Sequence, residues 1–144
     1  MSGKSFGFHH QGVSVPDLEA AIAWYRDVLG FELEQRTHIP SIPADIAFLR
    51  NGDLRFELFE LADAEPLPPS RREPDADLRT HGNKHAAFVV DDPIAFAEEL
   101  ARRGADIVWA RRNPHGANAF VRDVAGNLIE FLEGPCLTGV PGSL

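Results

Sequence analysis

The chain is poor in the residues that would tie it to a membrane, to nucleic acid or to an oxidising compartment. It has one cysteine, Cys136, in 144 residues, which excludes an intramolecular disulfide framework and any cysteine-cluster zinc site. No apolar run approaches the roughly 18 residues that a membrane helix needs, and Met1 to Phe8 lacks the apolar core of a signal peptide. Positive charge is also scarce: 14 Lys plus Arg stand against 22 Asp plus Glu, a net charge of −8. A body of that sign repels polyanions, so neither nucleic acid nor an anionic membrane is an expected partner. The expectation is a soluble, cytoplasmic protein acting on a small molecule. With 44% hydrophobic and 25% charged residues it has ordinary globular usage, and its length suits one domain.

Within that domain the sequence repeats. His10-Gln-Gly-Val-Ser-Val-Pro-Asp17 aligns without gaps on His85-Ala-Ala-Phe-Val-Val-Asp-Asp92. In each, a histidine opens an apolar strand-like run and an aspartate follows, placed to cap a helix by accepting backbone N–H bonds from its first turn. The first predicted helix runs from Leu18 to about Leu29. Its residues Leu18, Ala21, Ile22, Tyr25, Val28 and Leu29 share one buried face, and Gly30 sits where a left-handed cap is wanted. The second starts at Pro93, gathers Phe96, Ala97, Leu100 and Ala101 on one face, and stops at Gly104.

Short strands follow each helix: Phe31–Arg36, Ile46–Arg50 and Leu54–Leu61 in the first half, Asp106–Arg111, Ala117–Arg122 and Leu128–Glu133 in the second. Asn51-Gly52 and Ala125-Gly126-Asn127 mark the turns between the later pairs. Each half therefore reads β-α-β-β-β. The pattern divides the domain into module 1 (about 6–61), a linker (62–83), module 2 (84–134) and a short C-terminal tail. The linker holds Pro66, Pro68, Pro69 and Pro74, so it cannot be a central strand.

Four polar residues occupy matching places in the two halves. Glu57 lies in the apolar run Arg55-Phe-Glu-Leu-Phe59 and Glu130 in Leu128-Ile-Glu-Phe-Leu132. A carboxylate so embedded is costly unless it is paired, hydrogen-bonded or metal-bound. His10 and His85 precede these glutamates by nearly equal lengths of chain. Two histidines and two glutamates at equivalent repeat positions could converge on the pseudo-twofold axis between the modules, a donor set suited to Fe, Mn, Co, Ni or Zn. His9 rivals His10, and Glu60 is a weaker rival for Glu57. Strand alternation places His10 on one face with Gly12 and Ser14, leaving Val13 and Val15 to pack under the helices. His38, His81 and His115 are further candidates for acid/base or substrate-recognising groups at a cavity mouth.

At these residues the sequence resembles the vicinal oxygen chelate superfamily, which includes glyoxalase I, methylmalonyl-CoA epimerase, extradiol dioxygenases and fosfomycin- or bleomycin-resistance proteins. The segments that carry the likeness are His10 to Glu19, Trp24-Tyr-Arg-Asp-Val-Leu-Gly-Phe31, Lys84 to Asp92 and Arg122 to Leu132. The resemblance implies an α+β fold of two tandem βαβββ modules forming a cupped, partly open, eight-stranded barrel-like sheet around one divalent metal ion. Carried over position by position, it makes His10, Glu57, His85 and Glu130 the ligands. Its shared chemistry is chelation of vicinal substrate oxygens and stabilisation of an enolate-like intermediate. Glu57 tilts the expectation to an isomerase, epimerase or lyase of the glyoxalase type, with Glu57 or Glu130 as the proton-transferring base. An Fe(II) ring-cleaving dioxygenase using His10, His85 and Glu130, and a metal-free binding or resistance protein, are the alternatives. A homodimer is the usual assembly. Asp123-Val-Ala-Gly-Asn127 stands where the superfamily often has Asp-Pro-Asp-Gly-Asn, and the arginine and asparagine set with which glyoxalase I binds glutathione is not identifiable.

Overall fold

A computed structural model of the chain describes residues 3–134, so Cys136 and the tail lie outside the described residues. The first half runs β1 (Gln11–Ser14), α1 (Leu18–Leu29), β2 (Glu32–Ile39), β3 (Ala44–Asn51) and β4 (Leu54–Glu60). The second runs β5 (Ala86–Val90), α3 (Pro93–Arg102), β6 (Asp106–Asn113), β7 (Gly116–Arg122) and β8 (Leu128–Glu133). Each half forms its own four-stranded sheet, in the orders β1-β4-β3-β2 and β5-β8-β7-β6. The β1–β4 and β5–β8 pairings are parallel and the others antiparallel. The architecture is α+β with two open sheets. No helix among the described residues is long and apolar enough to cross a membrane.

Capping fixes where the helices begin. Asp17 accepts from Ala20 N–H at 3.0 Å, and Asp92 accepts from Ile94 and Ala95 N–H at 3.1 Å each. Gly30 ends α1 in the left-handed conformation (φ 73°) that a side chain with a Cβ resists. The buried face of α1 is the one its spacing predicts: Leu18, Ala21, Ile22, Tyr25, Val28 and Leu29. Val15 is buried in the same core and Val13 packs against it.

One core serves both halves. The α1 face and Leu49, Phe56 and Leu58 continue into Leu100, Val121, Ile129 and Phe131. Rings bridge the junction: Tyr25 to Phe56 (centroids 4.8 Å), Phe56 to Phe88 (5.9 Å) and Phe88 to Phe131 (5.8 Å). Tyr25 O–H also donates to Asp123 Oδ2 at 2.9 Å, tying the first helix to the turn that starts β8. Both partners are buried, and without this bond the Tyr25 hydroxyl would be left unpaired there at a penalty.

Two departures from the sequence reading matter. The 62–83 segment carries a 3-10 helix (Pro69–Arg72) and a short helix α2 (Pro74–Asp77), each with proline in its first turn, where the missing N–H costs nothing. Asp77 is buried beneath it, bonded to Arg71 Nε at 3.0 Å and Lys84 Nζ at 3.2 Å. The β2 and β6 strands also run longer than their alternation suggests, to Ile39 and Asn113. Both contain a bulge at the same repeat position, between Leu33 and Gln35 and between Ile107 and Trp109.

Candidate metal centre

Each histidine lies one residue before the strand that would aim it. Register places Gly12 opposite Glu57 and Ala87 opposite Glu130, so each imidazole meets the glutamate of its own sheet. His10 Nε2 is 2.8 Å from Glu57 Oε2, and His85 Nε2 is 3.1 Å from Glu130 Oε2. The next strand supplies a phenylalanine opposite each glutamate, Phe48 and Phe120. These rings stand edge-on to the histidines, with centroids 5.3 Å apart for His10–Phe48 and 4.8 Å for His85–Phe120. The duplicated sequence therefore yields two nearly identical half-sites, each with one imidazole, one carboxylate and one aromatic wall.

The half-sites differ in their support. Glu130 Oε1 accepts from Asn118 Nδ2 at 3.0 Å, leaving Oε2 for His85. The His85 hydrogen bond, aided by Asn118, holds the Glu130 carboxyl below its ordinary value against the opposing effect of burial. At the position equivalent to Asn118, module 1 has Ile46, which can donate nothing. Asn118 carried no sequence signal as a lone strand asparagine; only the pairing register brings it to Glu130.

The expected rivals separate cleanly. Glu60 Oε2 accepts from Leu18 N–H at 2.5 Å and so serves the N-terminus of α1, where a carboxylate is favoured. His9 Nδ1 lies 2.7 Å from His10 Nδ1, one ring donating to the other. His38 pairs with Asp45 at 2.8 Å on exposed strand ends, and His81 and His115 are exposed.

The four principal candidates meet as two pairs. The convergence of all four between the modules of one chain is not seen. Among the described residues no three His, Cys, Asp or Glu side chains form a group that could hold a metal ion. The parallel pairings β1–β4 and β5–β8 place each histidine against the glutamate of its own sheet. The donor chemistry itself fits a divalent ion: two imidazoles and two carboxyl groups, all partly buried, with one oxygen of Glu130 already oriented by an amide.

Fold and half-sites together define the family. The chain belongs to the glyoxalase/bleomycin resistance protein/dioxygenase superfamily, whose model matches residues 7–131. It is 38% identical over 129 residues to the mitochondrial methylmalonyl-CoA epimerase of Bos taurus, covering 85% of this chain and 71% of that protein. It is 31% identical over 129 residues to the lactoylglutathione lyase of Neisseria meningitidis, covering 86% of this chain and 88% of that protein. The crystal structure of a glyoxalase family protein from Enterococcus faecalis shares the fold, with a TM-score of 0.75 at 22% identity over 88% of this chain and 97% of that one.

Proposed function

We propose that the protein is a metal-dependent isomerase, epimerase or lyase of the glyoxalase type, moving a proton at a carbon beside a substrate carbonyl. The observation that carries this reading is the duplicated His–Glu pair, and relatives named as an epimerase and a lyase support it. His10, Glu57, His85 and Glu130 would hold one divalent ion. That ion would supply Lewis-acid polarisation of the carbonyl, which acidifies the neighbouring C–H.

The chain's own residues then have distinct tasks. Glu57 and Glu130 are the bases within reach of the centre. Glu130 is the more firmly held, because Asn118 fixes one oxygen, whereas Glu57 keeps only its histidine. The better-anchored carboxylate suits a ligand role, and the freer Glu57 suits a base that must accept a proton and return it. Phe48 and Phe120 form an aromatic wall beside each pair.

A homodimer completes the centre in this reading, with His10 and Glu57 of one copy facing the second copy's His85 and Glu130. The cup-facing residues of the single chain favour that arrangement: Gly12, Ser14, Ala87 and Val89 are all exposed, Val89 to 54%.

The test combines metal content with isotope exchange. Purified protein should hold a divalent metal, and His85→Ala with Glu130→Gln should lower metal affinity by at least about tenfold. In deuterated water, methylmalonyl-CoA or lactoylglutathione recovered after incubation should carry solvent deuterium in a Glu57-dependent manner. Full metal retention in the double variant would overturn the ligand assignment. Oxygen consumption without exchange would point instead to the dioxygenase branch.

A further inference from the structure

The two halves present the same metal-ligating pair but different walls around it. Moving outward from Glu57, module 1 places Phe48 and then Gln35 on the same face, with Ile46 and Thr37 one step along. Moving outward from Glu130, module 2 places Phe120 and Trp109, with Asn118 and Arg111 one step along. Thus Gln35, Thr37 and Ile46 in one half correspond to Trp109, Arg111 and Asn118 in the other.

In module 2 these side chains form a continuous run of contacts from the candidate ligand outward. His85 stands edge-on to Phe120, and Phe120 stands against Trp109 with centroids 5.1 Å apart. The Arg111 guanidinium lies 3.9 Å above the Trp109 ring. A guanidinium at that distance over an indole face is attracted by the ring, which restrains it without using its N–H donors. Among the described residues no carboxylate pairs with Arg111, whereas its neighbour Arg112 lies 3.8 Å from Glu133. Two more polar atoms on this face, Trp109 Nε1 and Asn118 Oδ1, are enclosed and without a partner among the described residues. Enclosed polar atoms are normally satisfied, so this wall is short of polar partners.

Resting on the reading of the centre as a small-molecule site, we propose that Arg111, seated over the Trp109 ring, binds a carboxylate of the substrate and so determines its identity and orientation. A guanidinium with no carboxylate partner presents a planar donor fork that matches a carboxylate in charge and shape. Module 1 offers no such group, so the substrate would enter with its anionic end towards β6 and its reacting carbon towards the His–Glu pairs. Arg111 would be a specificity residue and would take no part in proton transfer.

The experiment uses the full chain stripped of metal with a chelator and probed with malonate, with the uncharged isostere malonamide as control. Tryptophan fluorescence is the readout, since the chain has two tryptophans and a Trp109→Phe variant identifies the signal of the one at this wall. Malonate should change the fluorescence saturably and malonamide should not. Arg111→Gln should weaken malonate binding by roughly tenfold to a hundredfold, the range expected for a charge-assisted hydrogen bond. Thr37→Ala, at the corresponding place in module 1, should leave binding unchanged. Circular dichroism and metal uptake of Arg111→Gln should match the wild type, because the side chain is exposed. Equal binding of malonate to wild type and Arg111→Gln, or equal binding of malonate and malonamide, would overturn the proposal. Because the titration is done without metal, loss of the metal assignment alone would leave its result standing, and normal metal uptake with Arg111-independent binding would overturn only this proposal.

Discussion

Tyr25→Phe removes one oxygen atom from the junction of the two modules, and its consequences can be worked out in advance. Tyr25 is fully buried, packed against Phe31 and Phe56, and donates to Asp123 Oδ2. Phenylalanine keeps the ring and its packing, so the change isolates the hydrogen bond. Asp123 retains Asn127 Nδ2 on the same oxygen at 3.0 Å, which softens the loss. A hydrogen bond to a charged group contributes about 1.5–3 kcal/mol. For a domain of this size that corresponds to a melting temperature lower by about 5–9 °C.

The same residue sets an alkaline limit. Burial, then the adjacent Asp123 charge and hydrogen bond, push the Tyr25 hydroxyl well above its ordinary 10.0. The folded state therefore holds this proton more tightly than the unfolded state. The contribution to stability is complete below about pH 10 and is lost as pH rises above it. Tyr25 is the only tyrosine in the chain, so the tyrosinate absorption band reports on it alone. That band should appear only as circular dichroism shows the fold lost, and Tyr25→Phe should flatten the alkaline decline in stability. A tyrosinate signal rising near pH 10 in folded protein, or a variant melting within a degree of the wild type, would refute the reasoning.

Other perturbations give separate readings. Asp77 is 1% exposed between Arg71 and Lys84, so Asp77→Ala should cost about 3 kcal/mol, seen as a lower urea midpoint at unchanged slope. Asn118→Leu should let the Glu130 carboxyl climb back towards 4.5, measured by carboxyl carbon shifts in chelator-treated protein. Because the folded value is depressed, Glu130 contributes stability above about pH 4.5 that fades as pH falls through the folded value. The variant should therefore lose less stability on acidification than the wild type, and identical titrations would remove Asn118 from this role.

How far the sequence alone could go is clearest element by element. The two long helices, α1 and α3, were readable, because Asp17, Asp92, Gly30 and the periodic apolar face each fix one feature locally, whereas the short α2 was not. The His–Glu pairs were readable because the repeat made two weak signals coincide. Their separation in one chain was not, since it depends on how the modules pack, through Tyr25–Asp123 and Phe56–Phe88, across long stretches of sequence. The faces of β6 depend on its bulge. Plain alternation puts Ile107, Trp109 and Arg111 on one face, but the bulge after Ile107 turns Ile107 to the helical core and Trp109 and Arg111 to the opposite side. Glu60 shows the reverse case, a plausible ligand claimed by a neighbouring helix end.

The connection between the modules has a bearing on how the chain could be cut. From Pro69 onward it is fastened to the second half: Arg122 bonds the Arg72 carbonyl at 2.8 Å and Glu73 at 2.6 Å, and Asp77 is clasped by Arg71 and Lys84. The truly covalent joint is therefore the brief stretch 61–68, with everything after it belonging to the body of the second module. A backbone opened there would leave two fragments whose mutual grip, through shared rings and the Tyr25–Asp123 bond, is already built. Such fragments should reassemble when mixed, and each could be labelled or varied on its own before they are joined.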